Sequence, residues 1–257
     1  MKVIRSFRLI FNLKTLIVVV LSGLSTYLSS YYGVKANFPM TIIGIAVVFP
    51  IVFSISGAYK RRETALKHYA YLKAHGRALF LAARDWVPET DTEFQNDMKA
   101  LLKDILGGVR ELLHTGREDR KEMESDVYQM FSKLSLAIKS FRGRGLASGE
   151  VSRSNQYLSK MLDAFENMKH IYQYRTPITL RAYSKIFIFL IPIVYGPYFV
   201  HIAGDYHLTI IMIMPVLLSI VLVSLDNIQD HLENPFDQVG EDDIKIHAEK
   251  FADWLDS

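Results

Sequence analysis

The sequence predicts an all-α membrane protein with four transmembrane helices in two hairpins and a helical bundle on the cytoplasmic side. Two observations lead to this fold class. Half of the 257 residues are hydrophobic although 22% are charged, and the two kinds of residue occupy separate parts of the chain. Four uncharged stretches approach or exceed the roughly 20 residues that a helix needs to cross a bilayer.

The four apolar stretches form two pairs, each joined by a short link. They span about 15–34, 36–59, 186–202 and 208–225. Short links favour antiparallel neighbours, so each pair predicts a transmembrane hairpin. A cleaved signal peptide fits the first stretch poorly, because the apolar core is too long, no small-residue cleavage pattern is present, and a second span follows at once.

Basic residues gather at one end of each hairpin, whereas the two short links hold only Lys35. The positive-inside rule therefore places both termini and the middle of the chain in the cytoplasm. The predicted segments are 1–59 (N-terminal segment and first hairpin), 60–180 (cytosolic helical domain), 181–225 (second hairpin) and 226–257 (cytosolic tail). The basic residues near the span ends are Lys2, Arg5, Arg8, Lys14, Lys60, Arg61, Arg62, Lys67, Arg175, Arg181 and Lys185.

The cytosolic segment has apolar residues at helical spacing and is expected to form an antiparallel bundle. Helices are predicted over 61–86, 93–114, 119–141 and 154–174, with Ser154 or Asn155 capping the last of them. The expected breaks are at Pro88 and in the glycine-rich stretch 143–149. The helix over 61–86 is expected to continue the second span.

The sequence lacks the residues that several classes of protein require for their function. The chain has no cysteine, which excludes disulfides, thiolate metal sites and cysteine nucleophiles. The eight histidines form no HExxH pattern, and neither a phosphate-binding loop nor a GxSxG turn is present, so no enzyme is expected. A net charge of +3 gives no reason to expect a nucleic-acid partner.

A stripe of bulky apolar residues marks the second span. Ile45, Phe49 and Phe53 follow one another at four-residue intervals and so share one helix face. In several copies around an axis they would form three apolar rings, a constriction that conducts ions only when wide enough to stay wet. Spacing alone favours the simpler alternative, in which these side chains face lipid or a neighbouring helix.

Three motifs, in this order, resemble the bestrophin family. The first is the Ile45, Phe49 and Phe53 stripe with its basic continuation at 59–63. The second is the proline-containing stretch 175–183 before the third span, and the third is the Asn-Pro-Phe sequence at 234–236 followed by acidic residues at 241–243. The resemblance covers essentially the whole chain and implies a homopentameric ion channel with one central pore.

The resemblance also implies particular site residues. Ile45, Phe49 and Phe53 would line the neck of the pore, and Val151 would form a second, cytosolic constriction. Val151 is reached by counting residues back from Thr179, which replaces a proline that family members have before the third span. An insertion of one residue between the two would move the constriction to Glu150 or Ser152. Asn234, Glu241, Asp242 and Asp243 correspond to the calcium-binding region of eukaryotic family members.

The chain departs from the family pattern in two places. Arg62 and Glu63 stand where family members usually carry a tryptophan pair. Residues 237–239 separate the Asn-Pro-Phe motif from a short acidic run, which weakens the calcium interpretation. Because calcium prefers six to eight oxygen ligands, calcium is possible but not favoured. The favoured interpretation is that Asp242 and Asp243 cap a helix over 244–254.

The predicted function is passive ion flux through a bestrophin-like channel of the bacterial inner membrane, with the bilayer and small permeant ions as partners. Anion and monovalent cation selectivity both remain open, because the neck has no charged ring. The alternative is a membrane-anchored scaffold or signalling protein whose hairpins hold the bundle at the membrane.

Asp226 and Asp230 are expected to form structural ion pairs with Arg61, Arg62 or Arg175.

Overall fold

A computed structural model describes residues 12–114, 120–174, 177–204, 206–237 and 243–255. These residues form helices and connecting segments without a strand, which confirms the all-α prediction. The contacts divide the chain into two compact units. The first comprises Met1–Lys60 and Arg175–Asn234, and the second comprises Arg61–Tyr174 and Pro235–Ser257.

The α-helices are numbered along the chain, and a short π-helical segment, Ala82–Trp86, follows the second of them. Their bounds are α1 Leu13–Tyr31, α2 Met40–Leu81, α3 Thr92–His114, α4 Arg120–Ser140, α5 Ser148–Gln173, α6 Ile178–Val194, α7 Gly196–Ala203, α8 Leu208–Glu233 and α9 Ala248–Asp253.

Three stretches of the described helices are long and apolar enough to cross a membrane on their own. They are Leu13–Tyr31, Thr41–Trp86 and Ile211–Glu233, and a fourth candidate appears only when α5 and α6 are taken together as a bent pair. The predicted third span at 186–202 is therefore not one helix, because α6 ends at Val194 and α7 starts at Gly196. The four-span layout stays a prediction.

The break between α6 and α7 is stabilised by hydroxyl groups of α1. Ser25 Oγ donates to the carbonyl oxygen of Ile193 at 2.6 Å. In a continuous helix that carbonyl would accept from residue 197, but Pro197 has no N–H group. Ser22 Oγ donates to the carbonyl of Pro192, also at 2.6 Å. The serines thus add hydrogen bonds from α1 to carbonyls in the last turn of α6, where Ile193 also accepts from a backbone N–H.

Gly196 allows α1 to approach this break closely. A Cβ atom at position 196 would lie 2.5 Å from Ser25 Oγ and 2.9 Å from the Ser25 carbonyl carbon. Because the second atom belongs to the backbone, no side-chain rotation would relieve the contact. The small residue at 196 is required by the α1–α7 packing.

Charged residues from three helices meet at one end of the first unit. Asp230 of α8 pairs with Lys14 of α1 at 3.1 Å and with Lys185 of α6 at 3.1 Å. Asp226 lies 4.0 Å from Lys14. The described partners of these two carboxylates are lysines rather than the expected Arg61 or Arg62, and Arg175 lies outside the described residues. Nearby, Arg181 Nη1 lies 2.7 Å from Glu233 Oε2.

The second unit is a bundle built on α3, α4 and α5, whose apolar faces form one continuous core. The predicted α3 and α4 are confirmed to within one or two residues, whereas α5 begins at Ser148 rather than at 154. Ser154 is buried inside this helix and its hydroxyl donates to the Glu150 carbonyl at 3.0 Å, so it is not a cap. A polar contact also holds α4 to α5, because Lys169 Nζ of α5 donates to Glu124 and to the Tyr128 hydroxyl of α4. Burial disfavours the charged form of Lys169, but its hydrogen bonds to Glu166, Tyr128 and Glu124 outweigh that effect and raise the pKa of Lys169.

The C-terminal segment packs into the core of this second unit. Ile244 and Ile246 are buried, and the Tyr69 hydroxyl accepts a hydrogen bond from the His247 N–H at 3.1 Å. Helix α9 begins only at Ala248. The prediction that Asp243 caps a helix over 244–254 is therefore wrong, because the buried isoleucines hold the intervening residues in a non-helical conformation; Asp242 lies outside the described residues.

Candidate functional site

Helix α2 has one face that packs inside the first unit. Val47, Ile51, Ser54 and Ala58 are each at most 3% exposed. Their spacing of four, three and four residues places them on one side of the helix, and this pattern continues across Pro50 without interruption. Val47 and Ile51 join an apolar cluster with residues of α1, α6 and α8.

The opposite face of α2 carries the three residues of the predicted neck. Ile45, Phe49 and Phe53 are 62%, 61% and 58% exposed. The rings of Phe49 and Phe53 contact each other edge to face, with centroids 4.6 Å apart. The structure thus brings all three together as one exposed stripe, pointing away from the packed face.

Pro50 lies inside α2 without ending it. A proline at this position leaves the carbonyl of Ala46 without its usual helical donor. The hydroxyl of Tyr183, on α6, lies 3.4 Å from that carbonyl oxygen and donates to it. The Tyr183 hydroxyl thus replaces the donor that Pro50 removes from the helix.

Exposure alone does not distinguish a pore-lining face from a lipid-facing one. Helix α1 also exposes large apolar residues, among them Leu16, Val20 and Leu24. In a membrane-spanning unit such surfaces contact either lipid or another protein chain. The α2 stripe differs in its content, because it has an edge-to-face phenylalanine pair next to Pro50.

Val151 does not lie on the surface of its unit. It is 7% exposed and belongs to the core beside the first turn of α5. Ser152, the neighbouring position reached by a one-residue shift in the count, is exposed. A cytosolic constriction stays a prediction, and Ser152 is better placed than Val151 to reach one.

The candidate calcium ligands are only partly described. Asn234 follows the last residue of α8, and Asp243 precedes the buried segment that leads to α9. Glu241 and Asp242 lie outside the described residues. Across the described part of the chain, no three histidine or acidic side chains are grouped in a way that could hold a metal ion.

The fold is similar to solved structures of a bacterial bestrophin homolog from Klebsiella pneumoniae. One single-substitution variant matches with a TM-score of 0.79 at 15% identity, covering 94% of this chain and 96% of that one. A second variant gives 0.79 at 16% identity, and a structure phased with zinc gives 0.77 at 16%, each covering 94% of both chains. No protein-family model matches the chain. No curated protein matches it in sequence.

These matches show that the chain has a bestrophin-like fold over almost its whole length. The prediction of that fold from three short motifs is confirmed. At this level of identity the likeness concerns the fold.

Proposed function

We propose that this protein is an ion channel in which several copies assemble around one pore, with the exposed face of α2 forming its neck. The observation that carries the proposal is the division of α2 into two faces. One face is fully used for packing within the chain, and the other presents Ile45, Phe49 and Phe53 in a continuous stripe. The bestrophin-like fold supports the same arrangement.

Stacked apolar rings provide a physical basis for controlling flux. An ion entering such a neck loses part of its hydration without gaining a charged partner, so width and wetting decide whether it passes. The stripe contains no ionisable side chain that could bind an ion tightly. The resulting transport is passive movement down the electrochemical gradient.

The assembly and placement follow from the resemblance and from the basic residues near the span ends. We propose a homopentamer in the bacterial inner membrane, with both termini and the second unit in the cytoplasm. Anions and monovalent cations both remain possible permeant ions. The edges of phenylalanine rings carry partial positive charge, which would favour anions if the rings turn their edges to the axis.

Ion flux through purified protein in liposomes tests the proposal, with chloride and sodium gradients imposed separately. Phe49→Ala and Phe53→Ala should increase flux severalfold, because each removes an apolar ring and widens the neck. Leu24→Ala is the matched control, since Leu24 is 50% exposed on α1 but belongs to no stripe on α2. Its flux should equal that of the native chain.

A folded, oligomeric native protein that conducts neither ion would contradict the proposal and favour the membrane-anchored scaffold. The same assay with calcium and with a chelator tests the remaining prediction for Asn234, Glu241, Asp242 and Asp243. We expect flux to be insensitive to calcium, because the acidic run is short and is separated from the Asn-Pro-Phe sequence.

A further inference from the structure

One exposed serine in the first unit differs from the serines of this unit that bond to the backbone. Several serines of this unit donate to backbone carbonyls at 2.6–3.1 Å, namely Ser22, Ser25, Ser29, Ser184 and Ser219. Ser56 of α2 is exposed and makes no hydrogen bond within the described residues.

Ser56 lies on the same face of α2 as the apolar stripe. It follows Phe49 by seven residues and Ile45 by eleven, which is close to two and three whole turns of a helix. It stands about 4.5 Å beyond Phe53 along the axis. Ser54, two residues earlier, also makes no side-chain hydrogen bond within the described residues, but it is 1% exposed and lies on the packed face. The two serines therefore differ in the face that they occupy.

The free-energy cost of an exposed, unbonded hydroxyl depends on whether it faces hydrocarbon or water. In hydrocarbon an unbonded hydroxyl is unfavourable, and a serine facing lipid usually bonds to the carbonyl of the preceding turn. Facing water or a passing ion, the same hydroxyl is satisfied as donor or acceptor. An exposed, unbonded Ser56 in line with the stripe therefore fits an aqueous surface better than a lipid one.

We propose that Ser56 forms a ring of hydroxyl groups directly beyond the apolar neck and that the permeant ion contacts this ring. The inference rests on the proposed channel function and adds a specificity-determining residue to it. After three apolar rings, the hydroxyls are the first side chains able to replace lost water. Because a hydroxyl donates to anions and accepts from cations, its loss changes the relative permeability of ions rather than abolishing conduction.

The absence of cysteine makes this proposal directly testable. Ser56→Cys introduces a single thiol, to be treated in liposomes with methanethiosulfonate reagents carrying either a sulfonate or a trimethylammonium group. We expect both reagents to reduce flux severalfold and to shift the anion-to-cation permeability ratio in opposite directions. Ser54→Cys is the matched control, and its flux should not change because that position is buried.

Ser56→Ala provides a second measurement that needs no labelling. We expect the variant to conduct and its permeability ratio between two ions of one charge, such as chloride and nitrate, to change by about threefold. That change is smaller than the loss of a whole hydrogen bond to a charged group, because both anions lose the same donor and only the difference between them changes the ratio.

The outcomes separate this inference from the proposed function. If the native chain is silent, the channel itself is contradicted. If the native chain conducts, but labelling of Ser56→Cys leaves flux unchanged and Ser56→Ala keeps the native permeability ratio, Ser56 faces lipid and the inference is overturned. Should Ser56→Cys fail to fold, the permeability ratio of Ser56→Ala decides alone.

Discussion

Two neighbouring carboxylates at the end of α8 have different environments. Asp230 contacts two lysines, whereas Asp226 is fully buried and its oxygens make no hydrogen bond within the described residues. A buried carboxylate without hydrogen bonds is costly, even with a lysine 4.0 Å away. Asp230 should therefore contribute to stability, and Asp226 should not.

Substituting each carboxylate separately tests this difference. Asp230→Asn should reduce the free energy of unfolding by about 1–2 kcal/mol, because it leaves Lys14 and Lys185 without their charged partner. Asp226→Asn should leave stability unchanged or raise it. Thermal unfolding in detergent gives the comparison, and equal losses of stability from both variants would contradict the difference between Asp226 and Asp230.

At the scale of single elements, α6 and α7 show how a broken helix is held in place. Pro197 removes a backbone donor, and the hydroxyl of Ser25 on α1 replaces it. The two helices can then approach α1 only because Gly196 has no side chain. The break depends on residues that are far apart in the sequence.

Gly196→Ala should destabilise the first unit by about 1–3 kcal/mol, since the added methyl group would press against the backbone of α1. Gly23→Ala is the matched control, because a Cβ at position 23 would meet nothing within 4 Å. Its stability should stay level or rise slightly, as alanine favours helix more than glycine does. Equal melting temperatures for Gly196→Ala and the native chain would contradict the close approach.

The helices of the second unit were predictable because their apolar residues recur at helical spacing. Met98, Leu102, Ile105 and Val109 are all 0% exposed in α3, as their spacing indicated. The start of α5 was missed because a glycine stretch looked like a break. The structure shows that the helix tolerates Gly149 in its first turn.

The ion-pair partners could not be predicted from the sequence, because they are contacts between residues far apart along the chain. The partners of Asp230 are 216 and 45 positions away along the chain, and no local pattern identifies them. A weak signal for the α1 contacts did exist. Thr15, Ser22, Thr26 and Ser29 recur at three-, four- and seven-residue spacing, which marks a polar stripe on an otherwise apolar helix.

For the whole molecule, the central claim is that one helix face, exposed in a single chain, becomes the wall of a pore between copies. The stripe was predictable in position because its spacing fits a helix face. Its exposure was not, because it depends on Val47, Ile51 and Ser54 packing inside the chain. The stripe is exposed in a single chain, so whether it lines a pore depends on how the copies assemble.

Electron microscopy of the purified protein in lipid nanodiscs tests this claim most directly. We expect a closed ring of copies in which Phe49, Phe53 and Ser56 point to the shared axis and Val47 and Ile51 stay buried within each chain. An assembly in which the two phenylalanines face lipid, with no continuous passage along the axis, would contradict the account.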